Sequence, residues 1–336
     1  MECKVTIARN RGLTFTSLIV GLLIVALLLA LFARAAPKAR EAANRVRCAR
    51  QLKNLAMSIA LYYNENKGAF PRTTYVPDAP LTAYTGSQAL DPFGPGGPAA
   101  NDVTAGIFLL IRTQDIPSFI FVCPSTDFSQ WNFNGKYSQY VSNFPGNQNL
   151  AYSYANPYPS AQAHQSGYDL SPKTRADFVI AADMNPGGAI FPTLTPQSPP
   201  AQLRGGNSKN HGGDGQNVLY AGWHVEFRQT PFCGANEDCI YTVAGRDSAS
   251  ASGKTSSTIL GSPTWEGDSV LLPVAEIDSG YVSASATFIR VLAAALILGA
   301  PIVFSLWLAV RNHPKPPPAT AGATNLSETS TPPPRG

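Results

Sequence analysis

Charge is scarce in this chain of 336 residues: only 14% are Asp, Glu, Lys or Arg, and none falls between Phe15 and Ala33. Catalytic signatures are scarcer still. The sequence has no HExxH, no nucleophile elbow and no Gly-rich phosphate loop, so the motifs of zinc proteases, serine hydrolases and nucleotide-binding enzymes are missing. Its five cysteines include no Cys-x2-Cys pair, which removes the usual spacing of a zinc site. Basic residues do cluster, at Arg34, Lys38, Arg40, Arg45, Arg47, Arg50 and Lys53, opposed only by Glu41. No aromatic interleaving or groove-reading motif accompanies them, so no nucleic-acid partner is expected and the cluster reads as a solvated helix face near headgroups.

Proline and glycine are abundant, 29 and 28 residues, alongside many Asn, Ser, Thr and Tyr. That composition suits an exported, loop-rich and mostly β head. Two apolar runs stand apart from it. The first, Phe15 to Ala33, has about the ~20 residues needed to cross ~30 Å of hydrocarbon and exceeds the ~7 to 15 of a secretory signal. The second, Val291 to Val310, is flanked by Arg290 and Arg311 and contains Pro301 and Trp307; it reads as a further transmembrane helix. A Pro/Ser/Thr-rich tail follows, expected to be disordered.

After the first run, Leu52, Leu55, Ala56, Ile59, Tyr62 and Tyr63 recur at helical spacing, giving one apolar face. Gly68 is a suitable stop and Pro71 prevents resumption. The periodicity predicts one helix over 13–67, with a membrane portion at about 14–33 and a stem at 34–67, some ~80 Å long.

The leader through Gly12, the apolar helix beginning at Leu13 and the stem text APKAREAANRVRCARQLKNLAMSIALYYNENKGAFP resemble type IV prepilins, type II secretion pseudopilins and a large bacterial group of pilin-like proteins of unknown function. FVCPSTD at 121–127 and NSKNHGGDGQNVLYAGWHVEF at 207–227 are similar to that group's cysteine-proline-serine element and its C-terminal signature. The resemblance implies cleavage between Gly12 and Leu13 by a membrane peptidase, methylation of the new terminus, and packing of the apolar helix in lipid or a filament. The expected fold is α+β, a long N-terminal helix packed on a loop-rich antiparallel β head, plus an additional C-terminal transmembrane helix. The divisions are a leader at 1–12, the helix at 13–67, an extracytoplasmic head at 68–283, a second span at 289–310 and a tail at 311–336.

Two features depart from an assembling pilin. The fifth residue of the mature chain is Ser17, where such pilins carry a glutamate that pairs with a neighbour's terminal amine. The second apolar run would also have to leave the bilayer on extrusion. The signature differs as well: Gly222-Trp223 stands where the group has Asp-Gly. The physical reading of this stretch is a β-hairpin. Gly212, Gly213 and Gly215 after His211 permit positive φ, strands lie at 218–221 and 225–227, and Gly222 supplies positive φ at the tip.

Cys3 belongs to the leader. Cys48, Cys123, Cys233 and Cys239 remain, an even number allowing three pairings. Cys233 and Cys239 bracket GANED and are expected to pair, which leaves Cys48 and Cys123 to pin the helix to the sheet. Four unpaired buried thiols are the main alternative. His211, Asp214, His224 and Glu226 invite a metal-site or catalytic reading, but the stretch is read as hairpin and turn structure and no metal is assigned; Asp214, His224 and Glu226 are weak candidates, with DGQN able to offer oxygens to calcium. Asp177, Asp183 and Asn185 form another oxygen-rich cluster, in which Phe178 to Ala182 reads as a buried strand running into a turn, and 268–273 reads as a final strand.

Three functions fit. One is a non-enzymatic pilin-like envelope protein of the bacterial inner membrane, associated with a type II secretion or type IV pilus-like assembly and retained in the bilayer. Another is a stationary binding or display module held by two membrane helices. The third is an extracytoplasmic hydrolase, for which no constellation is visible. Partners implied are the membrane, prepilin peptidase and pilin or secretion-system subunits. Both ends are placed inside and the head outside, although the basic stem opposes this under the positive-inside rule.

Overall fold

The computed structural model describes residues 15–188, 191–243 and 258–275. The leader, Gly12, Leu13, the second apolar run and the tail lie outside them.

A single helix, α1, runs from Phe15 to Glu65, 51 residues with Pro37 inside it. At 1.5 Å per residue it is about 77 Å long. The two halves of α1 meet different surroundings. Leu22, Leu27 and Phe32 are exposed, whereas Cys48, Leu52, Leu55, Ala56 and Ile59 are buried. The buried set has the i, i+4, i+7, i+8, i+11 spacing of one helix face. Each fully buried leucine or isoleucine there contributes roughly 1.5–3 kcal/mol. The first half is long and apolar enough to cross a membrane, with none of its apolar window covered by the other described residues. The helix closes with Lys67 in the left-handed region and Gly68 at φ 86°. The Gly68 N–H donates to the Tyr63 carbonyl at 2.8 Å, a 6→1 closure that satisfies an end carbonyl.

The stem half packs on a five-stranded sheet of order β4-β3-β2-β1-β5. Its strands are β1 (Tyr152–Ala155), β2 (Val179–Asp183), β3 (Gln216–Tyr220), β4 (Val225–Arg228) and β5 (Leu271–Leu272). Every neighbouring pair is antiparallel. The three inner strands are buried throughout, so they read as apolar runs rather than alternations. The final strand is shorter than the 268–273 segment suggests, because only Leu271 and Leu272 pair with β1.

A second helix, α2 (Val103–Gln114), was not marked by the sequence pattern. It is buried from Val103 through Ile111, apolar nearly all round, so it shows no amphipathic stripe. Asp102 caps it, accepting from the Thr104 and Ala105 amides at 3.0 Å each, and Phe108 seats it against Phe144 and Trp131.

The β3–β4 tip corrects one expectation. Trp223, at φ 60°, takes the left-handed position rather than Gly222. The Trp223 N–H donates to the Tyr220 carbonyl at 2.9 Å, and the Tyr220 N–H to the His224 carbonyl at 3.0 Å. Such a turn needs positive φ at its last residue, a position that favours glycine. Here the strain is offset by stacking. The indole packs on Tyr63 and Phe70 at the exit of α1, 6.0 and 6.3 Å between ring centres, and Lys53 Nζ donates to the Trp223 carbonyl.

Candidate functional site

Tyr152 pairs with Asp183, and Asn217 pairs with Phe227. One step along from the Ala182–Val218 pair, Asp183 meets Asn217, so these four residues form a row across β1 to β4. Neighbours in a row share a sheet face. That face is turned to α1: the Tyr152 hydroxyl donates to Gln51 Oε1 at 2.6 Å, and Arg45 lies 4.6 Å over the Phe227 ring.

Four polar side chains from separate elements converge above this row. Cys48 comes from the buried face of α1, one turn before Leu52. Cys123 begins a turn closed by the Thr126 N–H to the Cys123 carbonyl at 3.0 Å, with Pro124 at the position that favours its fixed φ. Asp183 ends β2. His211 ends a 3-10 turn started by Ser208, whose hydroxyl accepts from the Asn210 N–H. Gly212 and Gly213, at φ 67° and 78°, then turn the chain back into β3. All four are buried, and their donor atoms lie within 4.8 Å of one another.

His211 is gripped at both ring nitrogens. Its Nδ1 is 2.6 Å from Glu41 Oε1, and its Nε2 is 3.2 Å from Asp183 Oδ2 and 3.9 Å from Cys123 Sγ. Asn217 Nδ2 stands 3.2 Å from the same Nε2. Asp183 accepts from the Asn217 backbone N–H at 2.6 Å and from Asn210 Nδ2 at 3.3 Å. Glu41 Oε2 accepts from Ser125 Oγ at 2.7 Å, and Asn44 Nδ2 donates to the Pro124 carbonyl at 3.3 Å. Helix, Cys-Pro-Ser turn, sheet and Gly-rich turn are thus tied at one point.

The electrostatics follow from this packing. The hydrogen bond from Cys123 brings the Cys48 thiol down to about 7, with burial opposing and His211 assisting. Cys123 is pushed up, by its hydrogen bond with Cys48 and by burial. Burial disfavours the His211 cation, yet hydrogen bonds with Asp183 and Cys48 raise the ring to about 10. Chemically, the cluster offers two sulfurs, an imidazole nitrogen and a carboxylate oxygen, a donor set for a thiophilic cation. It offers no path for a substrate, because all four side chains are enclosed.

The expected disulfides are not formed: Cys48, Cys123, Cys233 and Cys239 are free and buried. The structure does bring Cys48 to Cys123, but as hydrogen-bonded thiols beside Asp183 and His211. For the other pair, the backbone partner of Cys239 is Phe232. Cys233 is one residue further on, where an extended chain points its side chain the opposite way. Burial raises both thiols, Cys239 to about 12, which leaves them protonated.

The weak metal candidates do not gather. Asp214 is bridged by Arg45 at 2.7 Å and Arg204 at 2.6 Å. His224 stacks on Tyr220 at 4.7 Å and stands 3.8 Å from Glu226, whose other oxygen takes Arg228 at 3.2 Å. Gln216 Oε1 accepts from the Ser208 N–H, so DGQN presents no gathered oxygen set. Asp177 is paired with Arg175, and Asn185 ties the Tyr241 and Leu271 carbonyls. Asp183 stands out in the sequence as an oxygen-rich strand end, but its convergence with Cys48, Cys123 and His211 has no sequence signal.

No protein-family model matches the chain, and comparison with curated proteins and with solved structures gives no significant match.

Proposed function

We propose that this chain is a non-enzymatic, pilin-type envelope protein anchored in the bacterial inner membrane through α1, with its head outside. It is associated with a type II secretion or type IV pilus-like assembly but is retained in the bilayer. One observation carries the reading: a single uninterrupted helix is bare and apolar over its first half and buried against a sheet over its second. A chain so built places a folded head at a fixed distance from the anchor with no flexible link between them. The cluster around His211 supports it, because it fastens the stem to the head rather than opening to a substrate.

Retention in the membrane rests on Ser17 and on the second apolar run, 291–310. A serine cannot supply the buried charge that sets register between pilin subunits, and a second span resists extraction in proportion to its apolar area. These two features also favour, as a second reading, a stationary display module held at both ends.

N-terminal sequencing of the membrane-extracted protein separates the readings. A start at Leu13, with co-purification of pilin or secretion-system subunits, is the expected result. An intact Met1 and no such partner would make α1 an ordinary anchor and leave the display module. Recovery of the wild-type chain in sheared surface filaments would overturn retention.

A further inference from the structure

We propose that Cys48, Cys123, Asp183 and His211 bind one divalent cation of the zinc class, forming a closed structural centre that fastens the stem helix to the sheet. The donor atoms form a loosened four-ligand shell. Zinc bonds of ~2.0 Å to nitrogen or oxygen and ~2.3 Å to sulfur separate ligand atoms by roughly 3.3–3.8 Å in a tetrahedron. His211 Nε2 stands 3.2 Å from Asp183 Oδ2 and 3.9 Å from Cys123 Sγ, and no separation among the four donors exceeds 4.8 Å. Closing the widest of these separations by up to about 1 Å would seat the ion.

The surroundings are those of a metal site. Zinc-binding histidines nearly always give their other ring N–H to a carboxylate or carbonyl, and His211 Nδ1 faces Glu41 Oε1 at 2.6 Å. With a proton on Nδ1, loss of any proton on Nε2 frees a lone pair 3.9 Å from Cys123 Sγ for the cation. Asp183 is oriented by Asn217 and Asn210. Calcium and magnesium are poor fits, since they take six or more oxygens and only one carboxylate is present. All four positions come from the protein, so the ion is structural. On binding, both thiol protons and any proton on Nε2 pass to solvent. A Cys48–Cys123 disulfide is the competing state; it would use the sulfurs and give Asp183 and Nε2 nothing to coordinate.

The full chain, extracted in detergent from zinc-supplied cells, should carry one zinc per molecule. Replacement by cobalt should give thiolate-to-cobalt charge-transfer absorption. That band should be lost in Cys48→Ser and Cys123→Ser, and kept in His224→Ala and in the double variant Cys233→Ser/Cys239→Ser. Should the cysteine variants fail to fold, Glu41→Gln provides the second test, with affinity for zinc lower by ~10–100-fold. A Cys48–Cys123 disulfide in the peptide map overturns the proposal, as does a zinc-free protein, or a cobalt band that survives in folded Cys48→Ser. Such failure would leave the anchoring role of α1 untouched, since that is read from the N-terminus and the membrane fraction.

Discussion

Glu41 Oε1 lies 2.6 Å from His211 Nδ1, joining α1, two turns before its first deeply buried cysteine, to the Gly-rich turn that opens β3. The same carboxylate takes Ser125 Oγ at 2.7 Å and Arg45 Nε at 3.4 Å. One half-buried glutamate thus holds three segments distant in sequence. It marks the level from which, among the described residues, the helix is fixed to the head.

Glu41→Ala removes an acceptor from a His211 side chain that has no solvent to turn to. Leaving a buried donor unmade costs about 1–3 kcal/mol, and the partial exposure of Glu41 keeps the loss at the lower end. Urea unfolding of the detergent-solubilised chain should show a lower midpoint with the slope unchanged, and Glu41→Gln should recover part of the difference. An unaltered midpoint in Glu41→Ala would show that the contact contributes nothing.

Trp223 combines a left-handed backbone with two aromatic contacts. Both Trp223→Ala and Trp223→Gly lose the stacking on Tyr63 and Phe70, whereas only glycine relieves the backbone. The left-handed conformation costs a non-glycine residue ~1–2 kcal/mol. Trp223→Gly should therefore be the more stable of the two by about 1 kcal/mol in thermal or urea unfolding. Equal stabilities would mean that the turn relaxes out of the left-handed region once the indole is gone.

These residues also mark how far the sequence could be read. The apolar face Leu52, Leu55, Ala56, Ile59 and the hairpin around Gly222 depend on local periodicity and turn chemistry, and both appear in the structure. Turn chemistry alone places the left-handed residue at Gly222, since glycine is the cheap choice; a tertiary contact with α1 lets tryptophan occupy that conformation at position 223 instead. Helix α2 was hidden because burial on all sides erases the helical period. The convergence of Cys48, Cys123, Asp183 and His211 had no local signature, since β-sheet register and helix docking bring together single residues from four separate elements. What was legible was its parts: two cysteines, a histidine turn and an acidic strand end.

Asp238 is fully buried, and desolvation, with the nearby Asp268 carboxylate adding to it, holds its carboxyl well above the usual 3.8. A carboxyl raised in the folded state contributes stability that is fully present below its unfolded value and is lost as pH rises through the folded one. The melting temperature of the head should therefore carry a declining component upward from about pH 4. Asp238→Asn, which keeps an oxygen for the Ser269 N–H, should flatten that component. A variant whose melting curve follows the wild-type pH dependence would show that Asp238 does not bind its proton in the folded state.

Asp102 joins α2 to the loop beneath it. Its Oδ1 caps the helix, while Oδ2 accepts from the Thr85 N–H and from Asn143 Nδ2 at 2.9 Å each. Loss of a cap alone costs ~0.5–2 kcal/mol, and Asp102→Ala also leaves the buried Asn143 amide without this acceptor, at about 1–3 kcal/mol more. Asp102→Asn keeps one oxygen, enough for either the cap or the loop but not both. The order of stability should be wild type, Asp102→Asn, Asp102→Ala, with the alanine variant lower than wild type by roughly 2–4 kcal/mol. Hydrogen exchange localises the effect: amides of Thr104 and Ala105 should lose protection in Asp102→Ala, and uniform loss across the sheet instead would make Asp102 a general core residue rather than the cap of α2.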